Sequence, residues 1–251
     1  MLEHFSEDLN HIFNHTRNFE KEFKDKTIFL TGGTGFFGIW LQMSFIHLNR
    51  TLNLNSKLII LTRNKEKFIN SYTWLNHFTE INFLEGDIIN FDFIDEKIDY
   101  IIHAATEASV KLNIEEPLAM FETVVNGTKR ILEFAKVKKV QSFLFTSSGA
   151  VYGAQPSSIE NVSERYFAAP NASDASSVYG EGKRMAEVLC AVYHKHYNLP
   201  VKVARCYAFI GPFLALDSHF AAGNFINNII KGEDIIIKGD GTPTRSYMYS
   251  A

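Results

Sequence analysis

Tyr179 and Lys183 stand four residues apart in Tyr179-Gly180-Glu181-Gly182-Lys183. On a helix that spacing stacks the two side chains on one face. An ammonium beside a phenol favours the phenolate and so lowers the tyrosine pKa. A phenolate near neutral pH is a general base that takes the proton of a hydroxyl. With a nicotinamide held nearby, that proton loss can accompany hydride transfer from an alcohol carbon. Such pairs also arise by chance on many helices. The case rests on two further stretches: a glycine-rich turn, Thr31-Gly32-Gly33-Thr34-Gly35-Phe36-Phe37-Gly38, and the Ser147-Ser148 pair.

The glycine turn follows an apolar run at 27–31 and opens a helical pattern. It fits both Gly-x-x-Gly-x-x-Gly at 32, 35 and 38 and Gly-x-Gly-x-x-Gly at 33, 35 and 38. Early glycines allow a tight turn and close approach of a pyrophosphate, and Gly38 lets the helix pack on the strand. The helix N-terminus then faces the phosphates with free N–H groups. Gly32, Gly35, Phe36, Phe37 and Gly38 are the expected cofactor contacts. The acidic residue that would bond a ribose 2′-hydroxyl is missing after the second strand, where Thr62-Arg63-Asn64 stands. An arginine there can accept a 2′-phosphate, so Arg63 leans toward NADP. It reads equally well as a solvated surface residue. Asp87, after the third strand, is placed either to bond an adenine amino group or to start a loop.

Short unbroken apolar runs at 27–31, 58–62, 81–85, 100–103, 142–146 and 201–205 alternate with helical patterns at 39–48, 118–137 and 176–197. This predicts an α/β fold, a doubly wound parallel sheet covered on both faces. Residues 1–26 read as a helical leader, with Leu2, Phe5, Leu9, Ile12, Phe13, Phe19 and Phe23 at roughly helical spacing. Residues 27–205 read as the dinucleotide-binding domain. Residues 206–251, punctuated by glycines, read as a looser partial substrate-binding lobe. Residues 156–177 read as a loop.

The formal charge of -3 gives no polycationic surface, so nucleic acid is not an expected partner. The two cysteines, Cys190 and Cys206, read as reduced core thiols. No apolar run is long enough to span a bilayer, and 1–26 lacks the apolar core of a signal peptide. The expectation is a cytoplasmic protein with no membrane partner. The histidines show no metal-ligand spacing, so no metal is expected.

The glycine turn and Tyr179-x-x-x-Lys183 are joined by Gly86-Asp87-Ile88, His103-Ala104-Ala105 and Ser147-Ser148-Gly149-Ala150-Val151-Tyr152-Gly153. Arg205, Gly211-Pro212 and Gly239-Asp240-Gly241-x-x-x-Arg245-Ser246-Tyr247 follow. In these motifs the chain resembles the extended short-chain dehydrogenases/reductases of the NAD-dependent epimerase/dehydratase kind, which act on nucleotide sugars. The resemblance runs from residue 27 to residue 251. It implies a Rossmann fold, NAD or NADP as cofactor and a nucleotide-sugar substrate. It implies that Ser148 bonds the reacting hydroxyl, that Tyr179 is the base, and that Lys183 bonds the nicotinamide ribose and lowers the tyrosine pKa. Asp87, Ile88, His103, Ala104 and Ala105 fall at cofactor-lining positions, with a structural role as the other reading of His103. Glu107, Asn224 and Arg245 fall at substrate positions, although Asn224 also fits a helix cap and Arg245 a surface ion pair. The family further implies a homodimer through the helices at 118–137 and 176–197, with Met120, Phe121, Leu189 and Val192 as candidate contacts that fit the core equally well.

The chain departs from the family pattern at four points. Sugar 4,6-dehydratases of this family carry Thr-Asp-Glu or a close variant where Ser148-Gly149-Ala150 stands. Gly149 and Ala150 cannot do acid–base chemistry. This favours 4-epimerisation through a 4-keto sugar, with 4,6-dehydration and 4-reduction as alternatives. Against it, Glu107 stands where dehydratases often have a carboxylate, and residues 35–41 resemble a dehydratase subgroup. An Asn common before Gly-Thr is Val124 here, and one common after Arg205 is Ala208. Family members also continue past the Arg245 motif. The expectation is therefore an incomplete substrate lobe, and a non-catalytic dinucleotide-binding module is the alternative of another class.

Overall fold

The run Thr27-Ile28-Phe29-Leu30-Thr31 has no polar residue between its ends, so neither of its faces can be turned to water. The computed structural model, which describes residues 2–105, 115–216, 221–237, 239–241 and 244–251, buries both. This run is β1 (Thr27–Thr31). It is followed in the sheet by β2 (Lys57–Thr62), β3 (Ile81–Glu85), β4 (Tyr100–His103), β5 (Ser142–Ser148) and β6 (Val201–Cys206). All pairings are parallel, in the spatial order β3-β2-β1-β4-β5-β6. The strand order reverses between β1 and β4, where Thr31 lies opposite His103. In such sheets a ligand crevice opens at the carboxyl ends of the strands flanking that reversal.

Alternate residues of β1 serve opposite faces. Phe29 joins a core with Phe143, Phe145, Ile131 and Phe134. Leu30 joins another with Ile39, Ile46, Ile60 and Phe68. The covering helices are α1 (Ser6–Thr16), α2 (Glu20–Phe23), α3 (Phe36–Thr51) and α4 (Lys65–Ser71). After them come α5 (Pro117–Phe121), α6 (Gly127–Lys138), α7 (Val178–Tyr197) and α8 (Ala221–Lys231). The helix expected over 118–137 is interrupted by a π-turn at Glu122–Asn126. Two adjacent β-branched residues, Val124 and Val125, are buried there, and the Thr128 hydroxyl takes the Val124 carbonyl at 2.5 Å.

Beyond the sheet, β7 (Ala208–Ile210) and β8 (Tyr247–Tyr249) form a two-stranded parallel ribbon. The leader does fold as helices, and Leu9 of α1 packs on Trp40 and Met43 of α3. Among the described residues no helix is long and apolar enough to cross a membrane, and no acidic, His or Cys cluster is arranged to hold a metal.

Candidate active site

The glycine turn lies between β1 and α3, as its pattern requires. Gly32 has φ +72°, and a Cβ there would stand 2.4 Å from the Ala104 carbonyl oxygen. Only glycine tolerates both that backbone and that contact. Gly38 is equally confined, its missing Cβ falling 2.3 Å from the Gly33 oxygen. Gln42, fully buried one turn further on, donates its amide to the Gly33 carbonyl at 2.8 Å and braces the turn. Gly35 caps α3 without a side chain, so the first-turn N–H groups are left to an anion.

The turn forms one wall of a cavity of about 840 Å³, a size typical of small-molecule sites. Gly32, Gly35, Phe36 and Phe37 line it, with Arg63 at the end of β2 and Asp87 and Ile88 after β3. Ala104, Ala105 and Ser148 line it from β4 and β5, and Arg245 from the ribbon side. One Asp87 oxygen accepts the Ile89 N–H at 3.0 Å, so this residue does start a loop while facing the cavity. Asn64 caps α4 by accepting the Lys67 N–H at 2.8 Å. Gly38, His103, Tyr179, Lys183 and Asn224 are not among the described lining residues. Asn224 sits in the first turns of α8, and Glu107 lies outside the described residues.

His103 is buried and neutral, its pKa pressed down to about 3 by burial first and by the Lys183 charge second. Its tautomer follows from its neighbours. The Thr128 hydroxyl donates to Val124, so it accepts from His103 Nε2 at 3.0 Å. Nδ1 is then the acceptor for the Thr31 hydroxyl at 2.7 Å, whose oxygen accepts the Ala105 N–H at 3.1 Å. This chain of bonds fixes Ala104-Ala105 against the glycine turn, which is the structural reading of His103.

Ser148 lines the cavity, and Tyr179 and Lys183 lie one turn apart on α7, outside its described lining. Ser148 Oγ accepts the Ala150 N–H at 3.1 Å and caps the short 3₁₀ turn Gly149–Tyr152. The same hydroxyl bonds the Tyr179 phenol. Tyr179 packs against the core, so it reaches the cavity through Ser148. The Lys183 ammonium, almost fully buried, donates to the Thr146 carbonyl at 2.8 Å and lies 4.7 Å from the Phe145 ring centre. Burial lowers its pKa to about 7.

One expectation is corrected here. The Tyr179 phenol was to be lowered by its lysine. It is raised, by burial first, and the Ser148 hydrogen bond opposes that shift. In a dry pocket the cost of a bare phenolate outweighs what its neighbours return. A second correction concerns the thiols. Cys190 is a core residue, but Cys206 lines the cavity opposite Ser148 in the β5–β6 register.

The glycines inside Tyr179-x-x-x-Lys183 also find their reason. A Cβ at Gly180 would stand 2.9 Å from the Ala150 oxygen, so α7 runs directly against the Ser148 turn. At Gly182 the close neighbour is Val124. Glu187, one turn beyond Lys183, was not anticipated. It accepts from Ser147 Oγ at 2.6 Å and takes Arg205 through both oxygens, at 3.0 and 2.7 Å. Arg205 in turn donates to the Tyr152 hydroxyl at 2.6 Å. A carboxylate one turn from the lysine was the available signal.

A doubly wound sheet with a glycine turn at its reversal point, and a crevice opening there, define a Rossmann-type protein. Residues 28–251 match the NAD dependent epimerase/dehydratase family, and the chain belongs to it. UDP-glucuronic acid decarboxylase 1 of Xenopus tropicalis is 30% identical over 89% of this chain, which spans 51% of that relative's length. A UDP-N-acetylglucosamine 4-epimerase from Methanobrevibacter ruminantium, solved with UDP-N-acetylmuramic acid, superimposes with a TM-score of 0.76 at 27% identity, covering 90% of this chain and 70% of that one. A UDP-glucuronic acid 4-epimerase from Bacillus cereus, solved with UDP-glucuronic acid and NAD, gives 0.76 at 26% identity, covering 89% and 69%.

Proposed function

We propose that this chain belongs to an enzyme that oxidises a nucleotide sugar at C4, using a nicotinamide dinucleotide, and returns it as the C4 epimer. The observation that carries the reading is the hydrogen-bonded pair of Tyr179 with the cavity-lining Ser148, with the buried Lys183 one helical turn beyond Tyr179 on α7. When bound, the cofactor supplies a hydride acceptor and donor. The turn at Gly32–Gly38 would hold its pyrophosphate, and Asp87 and Ile88 would meet its adenine end. Arg63 keeps NADP open beside NAD.

The reaction asks three things of this chain. Ser148 positions the C4 hydroxyl by a hydrogen bond. Tyr179 takes that hydroxyl's proton as the carbon is oxidised, and gives it back on reduction. Lys183, whose proton is held weakly in its dry slot, would hold the nicotinamide ribose of a bound cofactor and offset the phenolate charge. Gly149 and Ala150 add no acid or base, which leaves the ketone free to turn and be reduced from the other face. Arg245, exposed at the cavity rim, is suited to the diphosphate.

The decarboxylase relatives favour a second reading. A C5 carboxylate beside a C4 ketone is a β-keto acid, which loses carbon dioxide to leave an enolate, and the enolate takes its C5 proton from the Tyr179 hydroxyl or from water. The same site thus suits decarboxylation of a sugar acid. Incubation with NAD or NADP and UDP-glucose, UDP-N-acetylglucosamine and UDP-glucuronic acid, with products read by NMR, separates the two. A C4 epimer supports the first reading, and a pentose product supports the second. Dinucleotide binding without turnover of any of these sugars would instead support the non-catalytic module.

We also propose pairing of two copies through α5 and α7. Leu118, Phe121, Met185, Val188 and Val192 are exposed on these helices, an apolar surface that pairing would cover. Met120 drops out as a contact because it is fully buried in the core, and Leu189 packs against that core. Val188→Glu should convert the dimer to a monomer in sedimentation. A wild-type chain that sediments as a monomer at high concentration would refute the pairing.

A further inference from the structure

Helix α1 has no place in the chemistry above, yet it joins both halves of the molecule. Leu9 is buried against Trp40 and Met43 of α3, the helix that carries the glycine turn. Phe5, in the 3₁₀ turn Leu2–Phe5 that leads directly into α1, meets the Trp40 ring at 5.6 Å and the Phe213 ring at 5.4 Å between centres. Asp8 accepts a hydrogen bond from the Tyr249 hydroxyl of β8 at 3.0 Å. Trp40 itself donates its indole N–H to the Pro212 carbonyl at 3.0 Å.

These contacts meet at the turn where the chain leaves the sheet for the ribbon. Phe213 has φ +74°, a left-handed backbone that a bulky residue adopts only when its surroundings impose it. The rings of Phe5, Trp40 and Tyr72 surround it. The next residues, Leu214 and Ala215, line the large cavity, as does Tyr247 of β8.

We infer that α1 is a positioning element for the substrate side of the cavity. Phe5 and Asp8 hold the strained 211–214 turn and the β7–β8 ribbon down onto α3. The glycine turn is fixed independently by Gln42 and Ala104, so losing the clamp should affect sugar-nucleotide binding and leave the dinucleotide untouched. The affinity part of this rests on the proposed function; the clamp itself does not.

The test compares the full chain with Asp8→Ala, Asp8→Asn and Phe5→Ala. Hydrogen exchange reads the clamp without any ligand. Amides in 211–214 and 247–250 should exchange faster in Asp8→Ala and Phe5→Ala, while Asp8→Asn, which still accepts from Tyr249, stays near wild type. Titration with UDP-glucuronic acid should show dissociation constants raised about tenfold in the Ala variants, the effect of losing roughly 1.4 kcal/mol. The NAD constant should hold. Unchanged exchange in 211–214, or NAD and sugar-nucleotide affinity falling together, overturns the inference. If UDP-glucuronic acid does not bind the wild type, the substrate assignment fails and the exchange rates alone decide the clamp.

Discussion

Strands β1 and β8 are both short and mostly apolar, and they meet opposite fates. Thr27–Thr31 lies between two other strands and under helices on both faces, with Phe29 wholly buried. Tyr247–Tyr249 pairs with one strand among the described residues and leaves Met248 66% exposed. The same contrast runs through the regions they belong to. The sheet half closes over its own apolar side chains. The ribbon half leaves Ile229, Ile230 and Ile235 through Ile237 open to solvent. An apolar side chain stabilises a fold only by the area it removes from water. The sheet half should therefore behave as a self-supporting unit, and the ribbon half should add little to stability.

The sharpest way to break that division is at Tyr179, which belongs to the sheet half by packing and, in the proposed function, to the chemistry. Tyr179→Phe keeps the ring and its burial but removes the group that exchanges a proton. Turnover should fall by about 10²–10⁴-fold, while NAD affinity, measured by calorimetry, stays unchanged. Near wild-type turnover would remove the phenol from the mechanism. Next in size is the core itself. Phe143 is fully buried on β5, and Phe143→Ala should cost about 3–5 kcal/mol in denaturant unfolding. A cost under 1 kcal/mol would mean the sheet half is far looser than its burial indicates.

Much of the sheet half was legible because its signals are local. The apolar runs at 27–31, 81–85 and 100–103 coincide with β1, β3 and β4, and the glycine turn falls where its pattern demands. What was not legible depends on distant residues. Gly180 looks like a poor helix residue until Ala150 is seen against it. The π-turn at Glu122–Asn126 forms in a segment with ordinary helical periodicity. The direction of the Tyr179 shift is set by burial, which no pairwise spacing reports. Helix α8 was readable after all: Phe225, Ile226, Ile229 and Ile230 keep helical spacing, but the surrounding glycines and asparagines masked it. The ribbon pairs residues almost forty positions apart, a pairing that no local pattern encodes.

Buried ionisable groups sharpen the same contrast through pH. Lys183 binds its proton below about pH 7 when folded, against the ordinary lysine value of 10.5 when unfolded. Between these values the unfolded chain holds the proton and the folded chain does not, so stability should rise with pH across that window. His103 acts at the other end. Its folded pKa is about 3 against 6.5 unfolded, so stability should fall as pH drops from 6.5 toward 3. Lys183→Met should flatten the upper slope and weaken the lower one only in part, because burial, the larger cause, still holds the His103 pKa down once the lysine charge is gone. Unfolding curves at several pH values read both. An unchanged upper slope in Lys183→Met would place the titration elsewhere.

The smallest effect is the most telling for the ribbon half. Ile236 is 74% exposed, so little of its surface has left water and little stability can depend on it. Ile236→Ser should shift the unfolding free energy by no more than about 0.5 kcal/mol, as for an ordinary surface change. It should also reduce self-association, since an exposed run of three isoleucines is the kind of apolar patch that seeks a partner. A loss of 2 kcal/mol or more, far outside the surface range, would mean that Ile236 is covered in solution. The two halves would then be less different than their burial implies, and the ribbon half would be stabilising the fold as the sheet half does.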